Sequence, residues 1–207
     1  MTETGLMSGD TGQLQRLTDE QVHARLAAYN PDGSLQRDLH ALWDDAGDII
    51  ESEVGAQFGP EAAKRVHDHY TGKVDAAWIQ AVAEYGRRIY REKTSVPAYI
   101  AARDQLITRI IAQLFERFAD QPETLENCVG AFQRATSFET DIILAQVALL
   151  EAIEAADVRG RESEQFERRV ADLVRASTEQ SSALTERTRS TSTSARGMLG
   201  KTSEVAA

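Results

Sequence analysis

The apolar residues of this chain recur every three or four positions in blocks separated by turn sequences, a rhythm that commits it to helices. Trp78, Val82, Tyr85 and Ile89 step by four, three and four, which sets them on one stripe of a helix. No segment carries convincing two-residue alternation, so sheet is not supported and the expected fold class is all-α. The punctuation fixes the blocks. Thr18-Asp19-Glu20-Gln21 has the spacing of a capping box ahead of a short helix with Val22, Leu26 and Tyr29 on one face. Asn30-Pro31-Asp32-Gly33 is a turn sequence, after which Ser34 is expected to cap a helix striped by Leu35, Leu39, Leu42, Ala46, Ile49, Ile50 and Phe58, with Gly47 and Gly55 as bends. Pro60 suits the first turn of a third helix carrying Ala63, Val66 and Tyr70, which Thr71-Gly72 closes; Asp75 caps a fourth. After Thr94-Ser95-Val96-Pro97 a long helix is expected over 97–118, and after Asp120-Gln121-Pro122 another over 123–157. Both have apolar residues on more than one narrow face, so each should touch neighbours on two sides.

From Phe166 onward the beat changes to seven: Val170, Ser177, Leu184, Thr191, Met198 and Val205, with Phe166 and Leu173 beside its start. A seven-residue spacing makes a left-handed supercoil seam, so this stretch is expected to pair with another helix, weakly where Ser177 and Thr191 stand. A frayed Ser/Thr-rich terminus is the alternative for 188–207. Charge divides the chain in the same place: from Val158 onward nine Arg/Lys face seven Asp/Glu, so of the net −10 the preceding residues carry −12. The expected organisation is a flexible tail over 1–17, a helical domain over 18–157, and a coiled-coil extension over 158–207, with the boundary at Arg159-Gly160-Arg161.

Several classes of function are disfavoured. A strongly acidic body does not suit a general nucleic-acid binder, which needs a basic surface. No apolar run approaches the ~20 residues of a membrane span, and the start of the chain lacks the basic-then-apolar pattern of a secretory signal. One cysteine, Cys128, excludes an intramolecular disulfide and has no basic neighbour to activate it; it reads as a buried small apolar residue in a cytoplasmic protein. Neither a phosphate loop, a nucleophile elbow nor a paired-histidine metal motif is present, so no enzyme is expected. His67 and His69 stand two apart, point to different helix faces, and read as solvated groups; His23 and His40 fall on polar faces.

The segment from Tyr70 to Ala102 carries the specific signal. Thr71, Gly72, Asp75, Trp78, Gly86, Tyr99, Ile100, Ala101 and Ala102 match, without a gap, the frame of the globin-coupled sensors, which this chain resembles. The stretch from Ala195 to Ala207 is similar, less specifically, to the first helix of a methyl-accepting chemotaxis module. The resemblance implies a globin-like sensor domain holding haem b and acting on gas or oxygen. It further implies a homodimer through the last two long helices of the domain, and an output through a downstream signalling module and a chemotaxis kinase complex. The haem pocket it implies would draw on Phe58, Val66, His69, Tyr70, Tyr85, Ile89, Tyr90 and Tyr99. The family's proximal histidine lies three residues after the glycine, and here that position is Ile89, which has no lone pair for iron. Tyr90, one residue on, is turned by ~100° from the stripe. Two readings stay open at this point, a haem-based gas sensor and a haem-free sensory module, beside a third in which the domain is a dimerising scaffold without input.

Overall fold

The computed structural model describes residues 15–205, with side chains through Met198. Six α-helices follow one another: α1 (Asp19–Tyr29), α2 (Ser34–Phe58), α3 (Pro60–Thr71), α4 (Ala76–Arg91), α5 (Val96–Arg117) and α6 (Pro122–Val205). Among the described residues there is no strand, and the fold is all-α. None of these helices is long and apolar enough to cross a membrane. The chain divides between Ile153 and Glu154 into two compact units, and α6 contributes to both.

Local chemistry sets the helix ends. The Thr18 hydroxyl accepts from the Gln21 backbone N–H at 3.2 Å while the Thr18 N–H donates to Gln21 Oε1 at 3.0 Å, completing the capping box of α1. At α2 the expected cap is corrected: Ser34 is the first helical residue, and the free N–H groups of Ser34 and Leu35 donate instead to Asp32 Oδ1 and Asn30 Oδ1. Both acceptors belong to the turn sequence, whose short polar side chains reach forward to the helix start. Within α2 the bend sits at Ala46 (φ −145°, ψ 17°), beside Gly47, over which the Trp43 ring folds. Pro60 opens α3, and Thr71 Oγ1 donates to His67 O as α3 ends. A Cβ on Gly72 would lie 2.4 Å from Asp68 O, so no side chain fits at this corner. Asp75 then caps α4 by accepting from the N–H groups of Ala77 (2.9 Å) and Trp78 (3.2 Å).

The body packs around one core drawn from all six helices, including Val22, Leu39, Ile50, Tyr70, Ile79, Ile110, Leu114, Phe138 and Ile142. Leu17 is buried in it too, and the Gln15 carbonyl accepts from Gln146 Nε2, so the last residues of the segment expected as a tail are tied down; 1–14 lie outside the described residues. Gly86 is where α4 meets α6: a Cβ there would stand 2.7 Å from the Ile143 carbonyl and 2.9 Å from the Gln146 Cβ. On α5 the core face is Leu106, Ile110 and Leu114, whereas Ile100, Ile107 and Ile111 are half-buried and Phe115 is exposed. Leu144 and Ala148 of α6 are exposed as well.

The helix does not break at Arg159-Gly160-Arg161. A glycine inside a helix costs only about 1 kcal/mol against alanine, and the flanking charged residues are good helix formers. In the second unit Phe166, Val170, Leu173, Val174, Leu184 and Met198 are exposed, and the hydroxyls of Thr178, Ser182, Thr185, Thr188, Thr191 and Thr193 each donate to the carbonyl four residues back. Within the chemotaxis-like stretch, the side chains of 199–205, that of Val205 included, and the whole of 206–207 lie outside the described residues.

Candidate functional site

Where α3, α5 and α6 meet, a carboxylate sits almost out of water. Glu139 of α6 has a side chain only 10% exposed and makes two bonds. Its Oε1 accepts from His69 Nε2 of α3 at 2.7 Å, and its Oε2 accepts from Arg103 Nη2 of α5 in a short ion pair. Because an ionised carboxylate only accepts, the His69 proton on this bond is on Nε2. Arg103 Nη2 also donates to the Thr136 carbonyl at 3.3 Å, one turn before Glu139 on α6, while the buried Arg103 Nε has no hydrogen-bond partner.

Aromatic rings wall the cluster. The imidazole of His69 stacks on the Trp78 indole, 4.7 Å between centroids and 22° between planes, and Trp78 Nε1 donates to the His69 carbonyl at 3.0 Å. Asp75, by capping α4, sets the backbone from which Trp78 projects. Phe138, next to Glu139, packs against Trp78 on one side and stacks on Tyr29 on the other. Tyr70 and Tyr99 complete the surroundings.

The electrostatics are mutually consistent. Burial alone would push the Glu139 carboxyl up, but the Arg103 and His69 charges and hydrogen bonds together outweigh it and hold it down at about 2. Burial likewise works against the charge on Arg103, and the Glu139 carboxylate overcomes it and raises the guanidinium further. Tyr70 is pushed well above the ordinary phenol range by burial, with Glu139 adding to the effect. Tyr99 is raised for the same first reason, with Arg103 opposing and Glu139 adding. The cluster therefore holds one carboxylate, one guanidinium, one imidazole and two protonated phenols.

The residues expected to line a haem pocket divide between the core and the surface. Val66, Tyr70 and Ile89 are buried in the common core, and Tyr99 is half-buried beside Arg103. Phe58 is 53% exposed at the end of α2, and Tyr85 lies at the edge of α4 with the Arg88 guanidinium 4.7 Å over its ring, a correction to the stripe that placed both inside. Tyr90 is half-buried with the Lys93 ammonium 4.6 Å over its ring. His69, expected as a solvated group, is instead the half-buried donor to Glu139; His67 is exposed and paired with Asp68, and His23 donates to Asp19 O. A haem at this place needs a donor atom for iron and room for the macrocycle. Ile89 offers hydrocarbon, the one nearby imidazole has its Nε2 committed to Glu139 and its face to Trp78, and Val66, Tyr70, Trp78 and Ile89 are packed in one continuous core. These residues do not fit a haem.

Sequence reasoning missed Arg103 and Glu139. The available signal was Glu139 directly beside Phe138 at the head of the broad apolar run to Ile153, though Asp141 two residues on carries the same signal. Cys128 is buried as expected, its thiol pushed up to about 11 by burial and by Asp45 beside it. Among the described residues no cluster of three or more His, Cys, Asp or Glu side chains could hold a metal ion. Comparison with family models, with curated proteins and with solved structures found no match to this chain.

Proposed function

We propose that this chain is a haem-free sensory module of the globin-coupled sensor type, in which the buried polar cluster takes the place of the cofactor. The observation that carries the reading is the position of Glu139. It receives His69 from α3 and Arg103 from α5, and it stands on α6, the helix that continues to Val205. A change in the balance between those two partners acts directly on α6. The match of Thr71, Gly72, Asp75, Trp78 and Gly86 to the sensor frame supports the same reading: these residues close α3, cap α4, bond the His69 carbonyl and admit α6.

The module works as a homodimer through α5 and α6, in a cytoplasmic chemotaxis-type pathway, with no chemistry of its own. The half-buried Ile107 and Ile111 and the exposed Phe115 of α5, with Leu144 and Ala148 of α6, are the apolar surface that supports this association. Two measurements test the proposal. Protein purified after growth with haem supplied should show no Soret band, and light scattering at micromolar concentration should give a dimer. A stoichiometric Soret band with nitrogen-ligated character overturns the haem-free reading; a monomer overturns the association.

A further inference from the structure

Ahead of α1 the chain runs as a short strap over the crossing of α4 and α6. The Leu17 side chain is buried in the core, while Gln15 and Arg16 stand in solvent. Two side-chain amides hold the strap by its backbone. Gln146 Nε2 of α6 donates to the Gln15 carbonyl at 2.9 Å, and Gln80 Nε2 of α4 donates to the Leu17 carbonyl at 3.0 Å. Arg87 of α4, paired with Glu84, completes the frame: its Nη1 donates to Gln146 Oε1 at 3.4 Å and its Nη2 to the Gln80 carbonyl at 3.5 Å. Gln146 is fully buried and packs on Gly86, where no Cβ would fit. The hold has one defect, since Gln80 Oε1 is buried without a hydrogen-bond partner. A buried acceptor left without a donor is costly, and water that reaches it when the strap lifts removes the cost.

We propose that residues 15–17 are a detachable latch on α6. Closed, the strap gives Gln146 its acceptor and keeps it seated against α4; lifted, it leaves the Gln146 Nε2 donor unpaired and loosens α6 from α4 at Gly86. Separate opening follows from how little holds the strap. One buried leucine and two bonds from neutral amides are a small share of a core drawn from six helices, and segments with few buried contacts open ahead of the whole domain. The strap also has its own hinge. Thr18 is extended (φ −70°, ψ 160°) and starts α1 through the capping box with Gln21, so the strap can lift about Thr18 with α1 intact. Glu139 and Gln146 stand seven residues apart, on one face of α6. That helix is therefore gripped at two levels, by α3 and α5 at Glu139 and by α4 and the strap at Gln146. Lifting the strap removes part of the second grip and leaves the first. The latch does not rest on the haem-free sensory reading, and a Soret band would leave it standing.

The test uses the full chain and two variants, Leu17→Ser, which empties the slot under the strap, and Leu17→Met, which refills it. Brief trypsin treatment cuts after Arg16 only when the strap is lifted, and mass spectrometry follows the fragment that begins at residue 17, with the rate normalised to a free peptide spanning the same bond. In wild type this rate should hardly respond to low urea, because lifting three residues exposes little surface, whereas cutting through global unfolding rises steeply with urea. Leu17→Ser should be cut about thirtyfold faster or more, the factor set by the lower end of the loss of a buried leucine side chain, and Leu17→Met should stay close to wild type. In nitrogen-15 spectra of folded Leu17→Ser, the Gln146 side-chain amide and the backbone amides around Gly86 and Gln146 should move, while those of α5 around Ile110 stay in place. A wild-type rate that climbs with urea as global unfolding does overturns the proposal, and decides the matter alone should Leu17→Ser fail to fold. So does a folded Leu17→Ser that resists the cut, or one that is cut readily while the Gln146 amide is unmoved.

Discussion

Removing the charge at position 139 is the most direct probe of the cluster. In Glu139→Gln the side-chain shape is kept, but the Arg103 guanidinium, with a side chain 15% exposed, loses its countercharge. Breaking a buried pair by deleting one partner costs about 3–5 kcal/mol, because a charge is left in a poor solvent. Against a domain stability of about 5–15 kcal/mol that is a large fraction. Arg103→Met should be costly for the complementary reason: Glu139 keeps only His69, and burial then drives its carboxyl upward. The double variant Glu139→Gln with Arg103→Met has no orphaned charge, so its loss should fall short of the summed single losses by about 2 kcal/mol or more. Urea unfolding followed by tryptophan fluorescence is the assay, since Trp43 and Trp78 both report on the body. If each single substitution costs under about 1 kcal/mol and the two add, the pair behaves as a solvated surface contact and the reasoning fails.

Three further outcomes are expected. The folded-state carboxyl of Glu139 lies below its unfolded value, so the stability it contributes is fully present above the ordinary carboxyl range near ~4.3 and is lost as pH falls towards about 2; the stability gap between wild type and Glu139→Gln should hold above about pH 5 and close below it in acid-unfolding curves. Gly86→Ala should lower the thermal midpoint by several degrees: although alanine is the better helix former by up to about 1 kcal/mol, its methyl would sit 2.7 Å from the Ile143 carbonyl, an overpacking worth about 1–3 kcal/mol or more, and a rise in the midpoint would mean that α4 and α6 are further apart. Ser177→Leu with Thr191→Leu should raise the melting temperature of the second unit by burying two leucines in the seven-residue seam, each worth about 1.5–3 kcal/mol if sealed; an unchanged melt would show the beat to be a coincidence of composition.

Helix boundaries were legible because their causes are local. Thr18 and Gln21, Asp75 and Trp78, and Pro60 act within four residues, and each does what its spacing implies. The misjudged positions have causes outside the window that periodicity can see. Phe58 belongs to the α2 stripe by spacing, and Ile49 and Ile50 beyond the Ala46 kink are buried as that spacing implies, but Phe58 is the last residue of α2 and stands 53% exposed there. Tyr85 belongs to the Trp78 stripe by spacing, yet Ile79, Ala83 and Gly86 are also buried and centre the inward face of α4 to one side of it. At ~100° per residue, a position on the margin of such a face is half in water. The helix end expected near Asp157 is missing for a different reason: the helix runs on to Val205, and the single glycine at 160 is too weak a breaker to end a helix whose neighbours favour it.

The candidate site was the least legible part, and the physics of charge explains why. Arg103 and Glu139 are 36 residues apart, and each alone reads as a solvated group on a helix; only packing brings them together and makes their pairing obligatory. Stability does not account for their presence, because apolar residues of the same volume would hold α3, α5 and α6 together at least as well as a buried ion pair does. What an apolar trio lacks is direction: Glu139 meets both His69 of α3 and Arg103 of α5 only where the three helices stand as they do, since a hydrogen bond weakens steeply once its distance and angle are lost, whereas apolar contacts tolerate many registers.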